Sequence, residues 1–293
     1  MRILLTGSSG RIGRALYCRL SPLYSVIGLD RTPASTTHIV GDINNKGLVQ
    51  ELCRSVDAII HTAALHAPHV GIVPNNEFER INVVATGILL DAAAMAGIER
   101  IVFTSTTALY GISHQTSNRA VWVTEYTPPQ PTTIYHRTKT AAEQLLHRAA
   151  ERDGLRVRIL RVSRCFPEPA DVMAAYRIHR GIDARDVAEA HRLALHNVGE
   201  TIETYIISGV TPFQPEDIEG LWKNAPRVLA CRAPDLVEEF HRRGWSLPHS
   251  IDRVYDSSLA QKRLEWRPQF GYQNVCSLLD QGLSEVLPAR RLQ

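Results

Sequence analysis

The chain opens MRILLTGSSGRIGRAL (residues 1–16), and the order of residues in that stretch decides the fold. An apolar run from Ile3 to Thr6 breaks at Gly7 and turns into an amphipathic segment that starts near Gly10. Glycines at 7, 10 and 13 give GxxGxxG between a strand and a helix. Gly7 permits the tight turn, Gly10 lets the backbone approach a pyrophosphate, and Gly13 allows the helix to pack closely. The helix N-terminus adds unpaired amides and a partial positive charge, which favour phosphate. With Ser9, Arg11 and Ile12 between them, these glycines make up the expected cofactor-binding loop. A glycine-rich turn need not hold a ligand, so the next strand carries weight. It reads VIGLD and ends in Asp30, about 20 residues on, where a carboxylate can accept both adenosine ribose hydroxyls and repel a 2′-phosphate. That points to NAD as the cofactor, although Arg31 next to it could pair with a 2′-phosphate. Asp42 and Ile43, in VGDI, stand where an adenine would lie.

Outward from this unit, apolar runs and amphipathic stretches alternate. Ile3 to Thr6, Ser25 to Leu29, Ala58 to His61, Ile101 to Ser105 and Arg156 to Arg161 read as buried strands. Gly10 to Leu20, Lys46 to Arg54, Asn82 to Met95, His136 to Arg152 and Ala184 to Asn197 carry apolar residues at helical spacing. Gly97 and Gly154 follow two of these helices as expected C-caps. The alternation predicts an α/β fold, a Rossmann-type doubly wound parallel sheet with helices on both faces. TYIISG (204–209) adds one more strand. Beyond it Pro212, Pro215, Pro226, Pro234 and Pro248 punctuate the chain, which predicts a small, less regular C-terminal lobe. The expected division is an NAD-binding domain over 1–165, to which 181–209 returns, and a substrate-binding lobe from 166–180 and 210–293.

A second stretch, TIYHRTKTAAEQLL (133–146), carries the reaction chemistry. Tyr135 and Lys139 are four residues apart and share a helix face, so an ammonium can lie beside the phenol and favour its anion. A tyrosine ionises near pH 10, so populating the phenolate at neutral pH takes a shift of about three units, or ~4 kcal/mol. A neighbouring ammonium supplies much of it. The chain has only four lysines (Lys46, Lys139, Lys223 and Lys262), which makes this spacing less of an accident. A Tyr with a Lys one turn later is otherwise ordinary surface packing, and the pair gains its meaning from the glycine loop.

Read in order, the segments TGSSGRIG, GDI, HTAA, INVVATGILLDAA, FTSTTALYG, YHRTK and RGIDARDVAEA resemble an extended short-chain dehydrogenase/reductase of the NAD-dependent epimerase/dehydratase family. The resemblance implies Thr106 as the catalytic hydroxyl, Tyr135 as the base, and Lys139 as the partner that also holds the nicotinamide ribose. It further implies that Ala63 and Ala64 line the cofactor cleft and that Asn82 starts the helix beneath it. Thr106 fits on physical grounds too, because it closes an apolar strand at the carboxyl edge of the sheet, where ligands of open α/β folds bind. Its hydroxyl can orient the substrate oxygen that Tyr135 deprotonates. Thr107 beside it is expected at the substrate.

Departures from the family pattern bear on substrate. Nucleotide-sugar epimerases of the family usually follow the strand at Arg156 to Arg161 with an Asn-containing stretch and a long segment around the nucleotide diphosphate. Here Arg164 stands at that Asn, and the chain reaches Arg180 and the RGIDARDVA segment too soon for such a cradle. SRCFPEP (163–169) resembles instead the uronate dehydrogenases, small relatives that oxidise free hexuronic acids with NAD. Those enzymes carry a carboxylate-binding arginine where this chain has Val172 and Met173. Arg164 could act as an anion clamp in its place, or form a structural ion pair. His66, in AALHAPHVG, is expected near the nicotinamide end; with His69 it shows no third ligand, so no metal is expected. The expected function is hydride transfer from the hydroxyl of a free sugar, sugar acid or small polyol to NAD. The alternative is a UDP-sugar 4-epimerase, which returns the hydride to the opposite face. A non-catalytic NAD-sensing regulator is the third reading.

Composition bounds the partners. The chain has 293 residues, 44% of them hydrophobic, enough for one large domain with an appendage. Its basic residues are mostly arginines spread evenly, which gives no nucleic-acid footprint. Five cysteines, far apart and unpaired in pattern, suit free thiols in a reducing compartment. Met1 runs straight into a strand and no apolar run reaches about 18 residues, so neither signal peptide nor membrane span is expected, and the cytoplasm is the expected location. The resemblance also implies a homodimer through the helices 82–95 and 136–152. Small residues Ala92, Ala93, Ala94 and Ala96, facing Ala141 and Ala142, would permit the close approach.

Overall fold

Ile3, Leu4 and Leu5 are all fully buried, yet they face two different cores. Successive strand residues point to opposite sides, so an unbroken apolar run is what a sheet covered on both faces requires. The computed structural model describes residues 1–111 and 118–290. Its strands are β1 (Arg2–Thr6), β2 (Ser25–Asp30), β3 (Ile39–Val40), β4 (Ala58–His61), β5 (Arg100–Thr106), β6 (Val121–Val123), β7 (Arg156–Val162), β8 (Ile202–Ile207) and β9 (Arg253–Tyr255). Seven of them form one sheet in the order β3-β2-β1-β4-β5-β7-β8, and every pairing is parallel. This is a Rossmann-type parallel sheet, as expected. The strand order reverses direction between β1 and β4, where a crevice opens at the carboxyl ends of the strands.

The helices are α1 (Arg11–Leu20), α2 (Lys46–Cys53), α3 (Asn75–Glu79), α4 (Ala85–Met95), α5 (Ile134–Asp153), α6 (Ala170–Arg177), α7 (Ala184–His196), α8 (Ile218–Arg232), α9 (Pro234–Arg242), α10 (Ser258–Arg263) and α11 (Tyr272–Asp280). Leu16 and Leu20 of α1 and Val187 of α7 pack with Ile3 and Leu5 on one face. Val49 of α2, Leu89 of α4 and Leu146 of α5 pack with Leu4 on the other. Gly154 caps α5 in the left-handed conformation (φ 67°), and Gly97 does likewise after α4 (φ 69°), both as expected.

Three expectations need correction. Asn82 does not start a helix: helical chain begins at Asn75, and Asn82 lies in a π-helical turn, Arg80–Val84, between α3 and α4. The buried Phe78 and Ile81 carry the apolar spacing further back than Asn82. The small-residue motive for a dimer also changes, because Ala92, Ala93 and Ala142 fill the protein's own core. The open side of these helices instead presents Gly87, Asp91, Leu145, Arg148 and Arg152.

The C-terminal lobe is more regular than its prolines suggest. Pro234 is the first residue of α9, and Pro226 follows a kink at Asn224 (φ −157°, ψ 71°) inside α8. A proline in the first turn of a helix removes an amide that has no intrahelical partner, so these prolines restart helices. Phe213, Leu221, Leu229, Leu236 and Phe240 share a core there with Met173 and Ala174 of α6. Residues from α10 onward do not all join it: Ala260, Leu264 and Trp266 pack against Leu16 and Leu195 on the sheet side, and Trp266 Nε1 donates to the Asp186 carbonyl at 3.0 Å. A two-stranded parallel ladder, β6 with β9, ties the lobe to the segment preceding Tyr135. Among the described residues no helix is long and apolar enough to cross a membrane.

Candidate active site

The glycine loop shows which of its members the protein needs and which a ligand needs. A Cβ on Gly7, where φ is 73°, would lie 2.7 Å from the Ala63 amide nitrogen, and one on Gly13 would lie 2.0 Å from the Gly7 carbonyl oxygen. Gly10 is different. Its Cβ would meet only the Gly7 oxygen, at 3.3 Å, and Gly10 lines the open cleft. It caps α1 without any side-chain hydrogen bond, and the first intrahelical bond runs from the Arg14 amide to the Gly10 carbonyl at 2.8 Å. The amides of Arg11, Ile12 and Gly13 therefore lack helical partners at the cleft wall. A small, positively polarised cradle of this kind fits the pyrophosphate of NAD. At the next strand end, Asp30 accepts from the Ser9 amide with one oxygen and from the Thr32 amide with the other, both at 3.0 Å. Arg31, Asp42 and Ile43 line the cleft beside it. Burial works against ionisation of Asp42, but hydrogen bonds from Asn44 and Arg80 hold its carboxyl below the usual range.

At the other end of the same cleft, Thr106 closes β5, and α5 brings Tyr135 and Lys139. Ala63, Ala64 and His66 enter after β4, and Ser163, Cys165 and Phe166 after β7. Burial pushes the Tyr135 phenol up to about 12, while a hydrogen bond with the Thr106 hydroxyl pulls the other way. Thr106 Oγ1 also accepts from the Ala108 amide at 3.1 Å, which fixes its rotamer. Lys139 departs from expectation. Its Nζ donates to the Thr104 carbonyl at 2.7 Å and lies 3.8 Å from the centroid of the Phe103 ring, and neither contact is with the phenol. A buried ammonium is held more strongly by a carbonyl and a π face than by a neutral phenol. Burial also pushes it down to about 7, and the nearby Glu143 opposes that shift.

Three expected residues lie outside the cleft lining. Asn82 is buried beneath it, accepting from the Leu65 amide at 2.8 Å and donating to the Leu65 carbonyl at 2.9 Å and to Thr138 Oγ1 at 3.0 Å. It clamps the loop after β4 to the helix that carries Tyr135. Thr107 is buried as well, and its hydroxyl faces the Val162 carbonyl at 3.5 Å instead of the cleft. Arg164 pairs through Nε with Glu168 and does not line the cleft. His66 does line the cleft, stacked on Phe166 with ring centroids 5.4 Å apart. Burial pushes its imidazole down to about 4, which leaves the ring neutral. Sequence reasoning missed Ser163, Cys165 and Phe166, although the rule that selected Thr106, the carboxyl edge of a strand, applies equally to the end of β7.

The match to known proteins decides the family. The model of the NAD dependent epimerase/dehydratase family matches residues 3–173, more than half of the chain. The chain belongs to this family. UDP-glucose 4-epimerase of Azospirillum brasilense is 32% identical over 171 residues, which are 55% of this chain and 48% of that protein. Uronate dehydrogenase of Pseudomonas putida is 28% identical over 181 residues, 58% of this chain and 63% of that protein. The chain thus spans about half to two thirds of the length of these relatives. The solved UDP-glucose 4-epimerase of Stenotrophomonas maltophila, with bound NAD and formylated UDP-arabinopyranose, superposes with a TM-score of 0.71 at 21% identity, covering 94% of this chain and 96% of that one. That likeness shows the fold. As in the family, the cofactor is NAD.

Proposed function

We propose that this protein oxidises a free carbohydrate with NAD. The convergence of Thr106, Tyr135 and Lys139 at one end of a cleft, with the glycine loop and Asp30 at the other, carries the reading. NAD, when bound, supplies the carbon that takes up hydride. Tyr135 removes the proton of the substrate hydroxyl, Thr106 holds that oxygen, and Lys139, one turn on along α5, brings positive charge to the same end of the cleft. Asp30 and the amides at the start of α1 hold the two ends of the adenosine diphosphate.

The free-carbohydrate reading rests on what surrounds the reactive end. The chain between Arg164 and Arg180 is taken up by the short helix α6, which packs into the lobe core. In that lobe Arg232 is paired with Asp217 at 2.8 Å, Arg242 with Glu239 at 2.7 Å, and Arg243 with Asp280 at 2.6 Å, so these guanidinium groups are already engaged. The cleft that holds Tyr135 also carries a neutral histidine stacked on a phenylalanine, a surface suited to the apolar face of a sugar ring. With Arg164 held by Glu168, a neutral sugar or polyol fits this wall better than a uronate. The similarity to UDP-glucose 4-epimerase supports epimerisation of a UDP-sugar as the second reading. Calorimetry separates them: UDP and dTDP should bind the full chain no tighter than about 1 mM, and micromolar binding would reverse the order. We further propose a homodimer through the open side of α4 and α5, and a cytoplasmic setting in keeping with its five free thiols.

A further inference from the structure

Beneath the reactive end lies a buried polar cluster that the proposed reaction leaves unused. Glu143 sits one turn after Lys139 on α5 and is 5% exposed. Its carboxylate accepts from Ser105 Oγ at 2.5 Å and from Arg161 through two bonds, Nε to Oε1 at 3.1 Å and Nη2 to Oε2 at 2.7 Å. Arg161, from β7, donates its Nη1 to the Tyr110 hydroxyl at 2.8 Å. A buried ion pair is a poor way to gain stability, since apolar residues of similar volume often leave a protein as stable or more so. The cluster invites a use beyond packing.

Lys139 offers that use. It is 3% exposed, bound to the Thr104 carbonyl, and covered by the Phe103 ring. The titratable groups around it come from three elements. On α5 these are the Tyr135 phenol and Glu143; on β4, His61, bonded to Thr6 and Thr86, is pushed by burial down to about 3 and is neutral; on β7, Arg161 is bound to Glu143. Glu143 is the anion that acts on the lysine, against the effect of burial. We propose that Glu143 is a positioning residue that keeps Lys139 cationic and fixed on the Thr104 carbonyl, while Ser105 and Arg161, the latter anchored on Tyr110, hold the Glu143 carboxylate in place. The purpose of this arrangement rests on the oxidoreductase reading, because a cation beside Tyr135 is what the base requires. Its physical content does not involve a substrate.

NMR of isotope-labelled lysine side chains in the full chain tests it directly. Lys46, Lys223 and Lys262 are exposed, so one of four signals should titrate well below the others, and Lys139→Arg should remove that signal. Glu143→Gln replaces the anion with an amide of the same shape. The Lys139 midpoint should then fall by about one pH unit or more, a tenfold loss of proton affinity, and Glu143→Asp should restore most of it. Should Glu143→Gln fold poorly, Glu143→Met combined with Arg161→Met removes both charges and leaves an apolar pair, and a fall in the same direction, reduced by the loss of the Arg161 cation, is expected. A midpoint within about half a unit of wild type in folded Glu143→Gln, or no fall in the double variant, overturns the proposal. NADH formation plays no part in the readout, so failure of the oxidoreductase reading and failure of this one are told apart.

Discussion

Tyr135 is a phenol that its surroundings make harder to ionise, and this sets what its neighbours must do. With burial holding it near 12, only about one molecule in a hundred thousand would carry the phenolate at pH 7, so its use as a base depends on positive charge close by. Tyr135→Phe removes the proton acceptor while leaving the cofactor loop untouched. Turnover should fall by about three decades or more, with NAD affinity nearly unchanged, as measured by steady-state rates and a fluorescence titration. Lys139→Ala should lower both, since one ammonium serves base and cofactor. Near-normal turnover by Tyr135→Phe would remove the base assignment. Tyr135 and Lys139 were legible because their spacing is a local property of one helix. The Thr104 carbonyl as the lysine's acceptor was not, because it depends on β5 and α5 being packed face to face.

The strand, loop and helix formed by β1, the glycine turn and α1 behave as one element, and its glycines separate folding from binding. Gly13→Ala would place a methyl 2.0 Å from the backbone of Gly7, where no side chain can yield. That variant should lose about 1–3 kcal/mol or more of stability, seen as a lower Tm. Gly10→Ala meets only a 3.3 Å contact and should keep a Tm close to wild type. Gly10 lines the cleft at the start of α1, so NAD affinity should still drop at least about tenfold, or ~1.4 kcal/mol. Equal loss of Tm in both variants would contradict the assignment of Gly10 to the ligand. The strands and long helices of the sheet domain could be read from periodicity, since each buries a continuous face. The lobe could not be read so easily, because Pro226 and Pro234 look like breaks in sequence and serve as helix starts in the fold. The π-turn at Arg80–Val84 likewise leaves no periodic signature, and its reason, the Asn82 clamp, is a tertiary contact.

At the scale of the whole molecule, two cores on either side of one parallel sheet support a crevice at the carboxyl ends of β1 and β4, and α6, α8, α9 and α11 share the core of the lobe. A parallel sheet covered on both faces followed from the alternation of strands and helices, whereas the strand order did not, because it is set by which strands pair across the sheet. What the lobe contacts did not follow, because the return of Ala260, Leu264 and Trp266 to the sheet side joins residues far apart in sequence. The open side of α4 and α5, with Gly87 offering no obstruction, should pair with a second copy. Light scattering at micromolar concentration should give twice the mass of one chain, and a single-chain mass would exclude that interface. The central claim, that Tyr135 drives net oxidation of a free carbohydrate, is tested most directly by NADH appearance when the full chain and NAD are offered free sugars, polyols and UDP-sugars in parallel. The account predicts stoichiometric NADH from a free sugar or polyol, abolished by Tyr135→Phe. Epimerised UDP-sugar without release of NADH would contradict it.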